Sequence, residues 1–276
     1  MRIISLLPSA TEIVADLGLL GSLVGRSHEC QWPEAVRDVP AVSASRIDSA
    51  ALDGCQIDKA VREAVTKGEA LYAVDGDLLA ALQPDVILTQ DLCRVCAASG
   101  ADFAGVGARA ISLGPRTLDE VAESVRYLGR EFGVEDRGEE VAREMMHRIE
   151  RVRQAVAGKK RPRIFVAEWI DPPFACGHWI PEMVEAAGGE EVLGRAAERS
   201  LRTTWEEVRA ASPDLVVAAP CGFDEKRSAR EAESIDVACP VVAVDADRYF
   251  VRPAPSLAHG VEILARIFHG VDVHAV

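Results

Sequence analysis

The chain has 276 residues, of which 49% are hydrophobic, 5% aromatic and 27% charged, an ordinary globular balance with enough apolar material for substantial cores. Acidic residues number 44 against 31 lysines and arginines, and the resulting net charge of −13 disfavours nucleic acids and anionic membrane surfaces as partners. No apolar run approaches the length of a bilayer span, so membrane insertion is not expected. We expect instead a ligand that is neutral, cationic, or large and of mixed character.

The N-terminal segment is too short to be a secretory signal. Its apolar stretch covers only residues 3–7 and lacks a small-residue cleavage site. The seven cysteines are odd in number and scattered, which favours a reducing compartment. These features predict a cytoplasmic protein, or an extracytoplasmic one if a leader has been removed.

The same apolar stretch, residues 3–7, predicts the first strand. Pro8 and Ser9 follow it at once, and Ser9 has capping-box spacing to Glu12, which predicts a helix capped by Ser9. Gly18 is expected to end that helix in a left-handed conformation. A strand followed by a tight turn and a helix start directs backbone N–H groups beyond the carboxyl end of the strand.

An approximate internal repeat relates the two halves of the sequence. Residues 79–88 (LAALQPDVIL) resemble residues 208–217 (VRAASPDLVV), and each contains a helix end, a Pro-Asp break and an apolar strand. Further apolar runs at 163–167 and 241–244 alternate with helical stretches. This alternation predicts an α/β protein with parallel-rich sheets in both halves.

A long charged region of helical periodicity separates the halves. Its apolar spacing predicts two helices, the second from about Asp136 to Ala157. We therefore predict two Rossmann-like lobes, residues 1–115 and 163–276, joined through a helical segment 116–162 by one long helix, with a ligand cleft between the lobes. The alternative is an ordinary crossover helix within one larger sheet.

Aromatic and imidazole side chains gather in three segments that follow predicted strands, at residues 27–33, 168–179 and 247–253. In open α/β sheets ligands bind outside the carboxyl ends of the strands, where such loops converge. The alternative is that each tryptophan fills a core, but three clusters in equivalent places favour a binding site. The candidate ligand contacts in these segments are His28, Trp32, Trp169, Phe174, His178, Trp179, Tyr249, Phe250 and Arg252.

Cys93 and Cys96 form a C-x-x-C motif after a predicted strand. A redox site would need this motif at a helix N-terminus, and a metal site would need further ligands such as Cys30 and His28. The alternative is a pair of small buried side chains. The sequence has no nucleophile elbow, P-loop or dinucleotide fingerprint, so we expect neither catalysis nor an intrinsic cofactor. A metal- or thiol-dependent enzyme that uses these cysteines is the alternative of a different class.

Three segments carry a resemblance to a known family: residues 2–12 (RIISLLPSATE), residues 171–174 (DPPF) and residues 249–255 (YFVRPAP). They are similar, in the same order, to the periplasmic cobalamin-binding proteins of bacterial ABC importers. The similarity covers nearly the whole chain. It implies two lobes with one rigid connecting helix, a ligand that is cobalamin, haem or an iron chelate, and an ABC importer as partner.

The resemblance also implies roles for individual residues. Pro8 and Ser9 would lie at the floor of the cleft, and Tyr72 would lie close to a cleft tryptophan of the family. A further family tryptophan is replaced near Ser200. The residues that fall at or near aromatic positions of the cobalamin binders are His28, Trp32, Phe174, Tyr249 and Phe250.

We expect the ligand to be a corrinoid such as cobalamin, with haem or another metal chelate as the alternative. An imidazole of His28 or His178 would ligate the cobalt or iron, or would only donate a hydrogen bond. In the family, an acid on each lobe docks on arginines of the importer, and these acids correspond to Asp77 and Glu206. Transport, storage and sensing all remain open as biological roles.

Overall fold

The computed structural model describes residues 1–90 and 107–272 of the chain. Contacts divide it into two compact units. Unit 1 comprises residues 1–114 and 124–141, and unit 2 comprises residues 115–123 and the chain from 142 onward. Each unit has its own parallel-rich sheet, which confirms the predicted fold class. Within the described ranges, no helix is both long enough and apolar enough to cross a membrane.

Unit 1 is built on a four-stranded parallel sheet with the strand order β2-β1-β5-β6. These strands are β1 (Ile3–Ser5), β2 (Leu23–Arg26), β5 (Val86–Thr89) and β6 (Arg109–Ser112). A separate antiparallel ribbon pairs β3 (Ser43–Ser45) with β4 (Tyr72–Val74). The helices are α1 (Pro8–Asp16), α2 (Gly54–Lys67) and α3 (Gly76–Ala81). A core cluster on this sheet consists of Ile4, Leu6, Val42, Leu79 and Ile87.

The first helix starts two residues earlier than a cap at Ser9 allows. α1 begins at Pro8, and Leu7 at the N-cap position makes no side-chain capping bond. The predicted capping box of Ser9 and Glu12 is therefore wrong: proline has no N–H to satisfy and its fixed φ suits the first helical position. The prediction for the C-terminal end of α1 is confirmed, because Gly18 has a φ of +77° and is therefore left-handed.

Unit 2 contains a mixed sheet with the order β10-β8-β7-β11-β12, and β9 pairs with the start of β7. The strands are β7 (Arg163–Ile170), β8 (Pro173–Ala175), β9 (Glu190–Glu191), β10 (Leu201–Arg202), β11 (Leu215–Ala218) and β12 (Val241–Ala243). β8 folds back antiparallel on β7, and β10 pairs antiparallel with β8. The helices are α6 (Ile180–Ala186), α7 (Trp205–Ala211), α8 (Glu225–Ala232), α9 (Ala246–Tyr249) and α10 (Leu257–His269).

Two helices occupy the region predicted as helical between the halves. They are α4 (Leu118–Glu131) and α5 (Glu135–Val156), and the bounds of α5 agree with the prediction to within one residue. At 1.5 Å per residue, α5 is about 33 Å long. The division into units falls within both helices, after residue 123 in α4 and after residue 141 in α5. Each helix therefore has residues in both units.

The predicted repeat is present in both units and is held by the same bonds. In unit 1, the amide of Arg2 donates to the Asp85 carboxylate at 2.7 Å, and the amide of Asp85 donates to the Arg2 carbonyl at 2.9 Å. In unit 2, Arg163 and Asp214 exchange the same two bonds at 2.9 and 2.7 Å. Each arginine side chain also donates, at 2.8 Å, to a carbonyl at the end of the helix that leads into the aspartate.

The residue before the proline has the same backbone conformation in both repeats. Gln83 has a φ of +44° and Ser212 a φ of +50°. Proline disfavours the right-handed helical region for the residue before it, so a left-handed residue can end the helix there. That conformation costs a non-glycine residue about 1 kcal/mol, which the Arg–Asp bonds offset.

Replacing Asp214 with alanine removes the acceptor of the Arg163 amide. We expect the free energy of unfolding to fall by about 1 kcal/mol, measured by urea denaturation. Asp236 is exposed on the same unit and is a matched control, so D236A should leave stability within about 0.5 kcal/mol of the starting protein. Equal losses in D214A and D236A would contradict a specific role for the Arg163–Asp214 exchange.

A buried ion pair fastens α10 to the C-terminal part of α5 within unit 2. The Nε and Nη2 of Arg148 donate to the two carboxylate oxygens of Glu262 at 2.9 and 2.7 Å. His259 Nδ1 lies 3.3 Å from the same carboxylate. Burial by itself raises the pKa of Glu262, but hydrogen bonds from His259 and Arg148 and the charges of both residues outweigh it. The pKa falls from 4.5 to about 2.

The depressed pKa of Glu262 makes unit 2 sensitive to acid. Since the folded pKa of about 2 lies below the unfolded value of 4.5, the stabilisation is complete above the unfolded value and is lost as the pH falls towards 2. We expect E262Q to lower the free energy of unfolding by about 2 kcal/mol at neutral pH.

Urea denaturation of both proteins between neutral and acid pH measures this loss. The two stabilities should converge as the pH approaches the folded pKa, whereas E144Q, at an exposed position of α5, should follow the starting protein throughout. A gap between E262Q and the starting protein that does not shrink in acid would rule the carboxylate out as the cause.

Candidate functional site

In each sheet the strand order reverses at one strand, because the strands that follow it in sequence lie first on one side of it and then on the other. In unit 1, β1 lies between β2 and β5, and in unit 2, β7 lies between β8 and β11. Loops that leave the carboxyl ends of strands on the two sides of such a point diverge and open a crevice for a ligand. The loops concerned include residues 6–8 in unit 1 and residues 219–224 in unit 2.

In unit 1, the loop after β2 places His28 against the β3–β4 ribbon. Its Nδ1 lies 3.0 Å from Ser43 Oγ, which in turn donates to Ser27 Oγ at 3.2 Å. Its ring lies 5.5 Å from the Tyr72 ring, and its Nε2 lies 3.2 Å from a carboxylate oxygen of Glu29. Each ring nitrogen of His28 therefore has a polar neighbour, with Ser43 Oγ beside Nδ1 and the Glu29 carboxylate beside Nε2.

The other predicted residues of unit 1 differ in exposure. Trp32 is 43% exposed, and Pro8 is half-buried at the start of α1. Ser9 is buried, and its Oγ has no hydrogen-bond partner in the described part of the chain. Asp77 is exposed in the first turn of α3.

Of the three cysteines considered as metal ligands, the structure describes only Cys30. Cys30 is fully buried, and its Sγ accepts a hydrogen bond from Thr11 at 2.9 Å. Within residues 1–90 and 107–272, no group of three His, Cys, Asp or Glu side chains could hold a metal ion. Cys93 and Cys96 lie outside the described residues.

In unit 2, an aromatic stack with a cation lies where the sheet order reverses. The Trp169 ring lies 5.2 Å from the Phe223 ring, and the Arg227 guanidinium lies 3.8 Å above Phe223. The Trp169 Nε1 donates to the carbonyl of Asp171 at 3.1 Å. The half-buried Phe174 pairs with Trp169 across β7 and β8. These side chains form a mostly apolar surface, and the Arg227 guanidinium beside it lies 3.9 Å from Glu231.

Two predicted contacts of unit 2, Trp179 and Phe250, lie in its interior. Trp179 is 5% exposed and Phe250 is 0% exposed, and the Trp179 Nε1 donates to the Phe250 carbonyl at 2.7 Å. Arg252 is also buried and pairs with Asp247 at 2.6 Å. These contacts hold the segment that carries the half-buried Tyr249.

His178 occupies a rigid turn of unit 2. Its φ is +52°, and its amide donates to the Glu198 carbonyl at 2.6 Å. The Nε2 of His178 is buried without a hydrogen-bond partner among the described residues. Burial lowers the pKa of His178, and the charges of Arg116 and then Arg199 lower it further.

Comparison with known families gives a match over most of the chain. The sequence model described as periplasmic binding protein matches residues 3–236. The chain belongs to the periplasmic binding protein family.

Solved structures of similar proteins share this fold. The vitamin B12 binding protein BtuF of Vibrio cholerae is 21% identical, with a TM-score of 0.70 over 97% of this chain and 96% of that one. The heme-binding protein RhuT from Roseiflexus sp. RS-1 is 19% identical, with a TM-score of 0.70 over 98% of each chain. S. aureus IsdE, solved with heme, is 14% identical, with a TM-score of 0.72 over 97% of this chain and 98% of that one.

Membership of the periplasmic binding protein family confirms the resemblance seen in the sequence. The chain is a solute-binding protein and not an enzyme, and what it binds is cargo and not an intrinsic cofactor. The family is named for the periplasm, so membership does not support the cytoplasmic location predicted above.

Sequence patterns did not single out several residues of these surfaces. Phe223 follows β11, just as the three aromatic segments of the sequence follow predicted strands. A search for aromatic residues after every predicted strand would therefore have found it. Arg227 lies in the first turn of α8, and Ser43 lies on the ribbon, so only folding brings them to the site. Glu206, predicted to dock on an importer, is exposed on α7 and pairs with Arg209 at 2.8 Å.

The thiol nearest to the His178 turn in sequence is inert. Burial raises the pKa of Cys176 well above its ordinary value, and the charges of Glu191 and Glu168 raise it further. Burial also raises the pKa of Glu191, although amides of residues 194, 193 and 166 donate to its carboxylate. A thiol that stays protonated is neither a nucleophile nor a metal ligand, so this periplasmic binding protein has a structural cysteine here.

Gly177 sets the conformation of the His178 turn. A Cβ atom there would lie 2.5 Å from the Glu198 carbonyl oxygen, so backbone would have to move. We expect G177A to lower the free energy of unfolding by about 1 to 3 kcal/mol in urea denaturation and to shift the His178 ring resonances. Gly76 has no atom within 4 Å of its added Cβ, so G76A is the control and should not be destabilised. If G177A is as stable as the starting protein, the backbone of the His178 turn can move to accept a Cβ atom, and Gly177 does not set its conformation.

Proposed function

We propose that this periplasmic binding protein captures a metal-bearing tetrapyrrole, with a corrinoid such as cobalamin as the first candidate, and presents it to an ABC importer. The observation that carries the proposal is the pairing of ring side chains at the strand ends of each unit: His28 with Tyr72, and Trp169 with Phe223. Flat macrocycles have broad apolar faces, and tilted aromatic pairs bury such faces at low entropic cost.

The imidazole of His28 supports a metal at the centre of that macrocycle. Its Nδ1 lies 3.0 Å from Ser43 Oγ, so Nε2 is the nitrogen that we propose as the metal ligand. A neutral imidazole nitrogen is a ligand for both the cobalt of a corrinoid and the iron of haem. The Glu29 carboxylate at 3.2 Å from Nε2 would have to turn away when a metal binds.

Haem is the second candidate. Two of the similar structures are of heme-binding proteins, RhuT and IsdE, and one is of a vitamin B12 binding protein, so the relatives support both ligands. The ligand-facing residues that we propose in unit 1 are Pro8, Ser9, His28, Trp32 and Tyr72. In unit 2 they are Trp169, Phe174, His178 and Tyr249, supported in position by Trp179, Phe250 and Arg252.

Docking on the importer would use one acid on each unit. Asp77 is exposed on α3, and the Glu206 side chain is 78% exposed on α7. Exposed carboxylates attract the basic side chains that the family's importers present. Since Glu206 already pairs with Arg209 on its own helix, docking there would exchange one cation for another.

Absorption titrations with cyanocobalamin, cobinamide and hemin test the proposed ligand class. We expect at least one of them to bind with a Kd in the micromolar range or below. H28A should then weaken binding at least tenfold, which is about 1.4 kcal/mol, and should change the absorption band of the bound metal. His147 is exposed on α5, so H147A is the matched control and should bind as the starting protein does. The proposal fails if none of the three binds at tens of micromolar.

A further inference from the structure

A histidine of α10 lies against one of the proposed ligand contacts of unit 2. The His259 ring lies 5.8 Å from the Tyr249 ring and is tilted by 57° to it. We infer that His259 is a positioning residue, which fixes the Tyr249 ring for the ligand and is itself fixed by the Arg148–Glu262 pair. The inference rests on the proposed function and deepens it, because it names a residue that acts on binding through Tyr249.

The backbone of Tyr249 is fixed by bonds at both ends of the short helix α9. Asp245 caps this helix, since its carboxylate accepts from the Arg248 amide at 2.9 Å and its carbonyl accepts from the Tyr249 amide at 3.2 Å. Two residues before Tyr249, the amide of Asp247 donates to the carbonyl of Phe223 at 3.0 Å. Tyr249 is therefore held within the framework that carries the aromatic pair of unit 2.

The helix α10 packs directly on this backbone at Gly260. A Cβ atom added to Gly260 would overlap the carbonyl oxygen of Tyr249. Because His259 comes just before Gly260 on the same helix, its side chain begins close to the Tyr249 backbone. Ring centroids that are about 4.5 to 7 Å apart are typical of aromatic contacts, so the His259 and Tyr249 rings are in contact.

The His259 ring is anchored although its side chain is 48% exposed. Its Nδ1 lies 2.8 Å from Arg148 Nη2 and 3.3 Å from a carboxylate oxygen of Glu262. Arginine only donates, so Nδ1 accepts from Arg148 when it carries no hydrogen and donates to Glu262 when it carries one. The Arg148 and Glu262 side chains are only 20% and 8% exposed. Nδ1 thus has a well-fixed partner in either protonation state of the ring.

A fixed Tyr249 ring favours binding through entropy. The other cationic group on this ring is the Arg248 guanidinium, which lies 5.3 Å from the ring centroid. It is carried by a long side chain with many rotatable bonds, so it restrains the ring less than the anchored imidazole of His259 does. A side chain that is ordered before the ligand arrives loses less conformational freedom on binding. Loss of the His259 ring should therefore weaken binding by about three- to tenfold.

The first experiment examines the Tyr249 ring without any ligand. The rings of the three tyrosines are labelled with ¹³C and followed by NMR relaxation, with Y249F for assignment. H259N keeps a polar group that can bond to the Arg148–Glu262 pair but removes the imidazole ring. We expect H259N to keep the urea midpoint of the starting protein, to shift the Tyr249 resonances and to lower the order parameter of that ring, while the other two tyrosines stay unchanged.

The matched control for this measurement is H269A, because His269 also lies on α10 and its ring contacts Phe268 instead. H269A should leave the Tyr249 signals as they are. An unchanged Tyr249 resonance and order parameter in H259N overturns the inference.

The second experiment is a double-mutant cycle on binding, with whichever of cyanocobalamin, cobinamide and hemin binds most tightly. We expect Y249A to raise the Kd about tenfold or more, and H259A and H259N each to raise it about three- to tenfold. Because His259 acts through Tyr249, Y249A/H259A should bind no more weakly than Y249A alone. H269A should bind within about twofold of the starting protein.

The outcomes of the cycle separate the inference from the proposed function. If Y249A has no effect, or if H259A costs the same with and without Tyr249, the inference is overturned while the proposed function stands, because a tetrapyrrole still binds. If none of the three tetrapyrroles binds, the proposed function fails, and the ring measurement alone decides whether His259 positions Tyr249.

Discussion

The paired exchange between an arginine backbone and an aspartate is the constraint on which each unit depends. Arg2 with Asp85, and Arg163 with Asp214, fix the register at which the first strand of a unit meets the strand after the Pro-Asp break. These are the strand pairs β1–β5 and β7–β11, at which each sheet order reverses. The same bonds therefore determine where the loops diverge and where a ligand can be held.

Hydrogen bonds and ring contacts extend from that framework to the side chains that we propose as ligand contacts. The interior bond from Trp179 to the Phe250 carbonyl positions the segment of Tyr249, and the bonds to Glu198 and Glu168 fix the His178 turn. In unit 1, the ribbon carries both Ser43 and Tyr72 to the His28 ring. Polar groups are thus positioned before a ligand arrives, which lowers the entropic cost of binding it.

The parts that the sequence predicted are those set by local chemistry. The sequence predicts the bounds of α5 to within one residue because its apolar period and flanking glycines are local signals. It predicts the Pro-Asp repeat because proline restricts the conformation of the residue before it. The exposure of the aromatic residues could not be predicted, since Trp169 and Trp179 both follow strand signals yet only Trp179 fills the core. The ribbon contact of His28 joins residues far apart in sequence, so no periodicity reveals it.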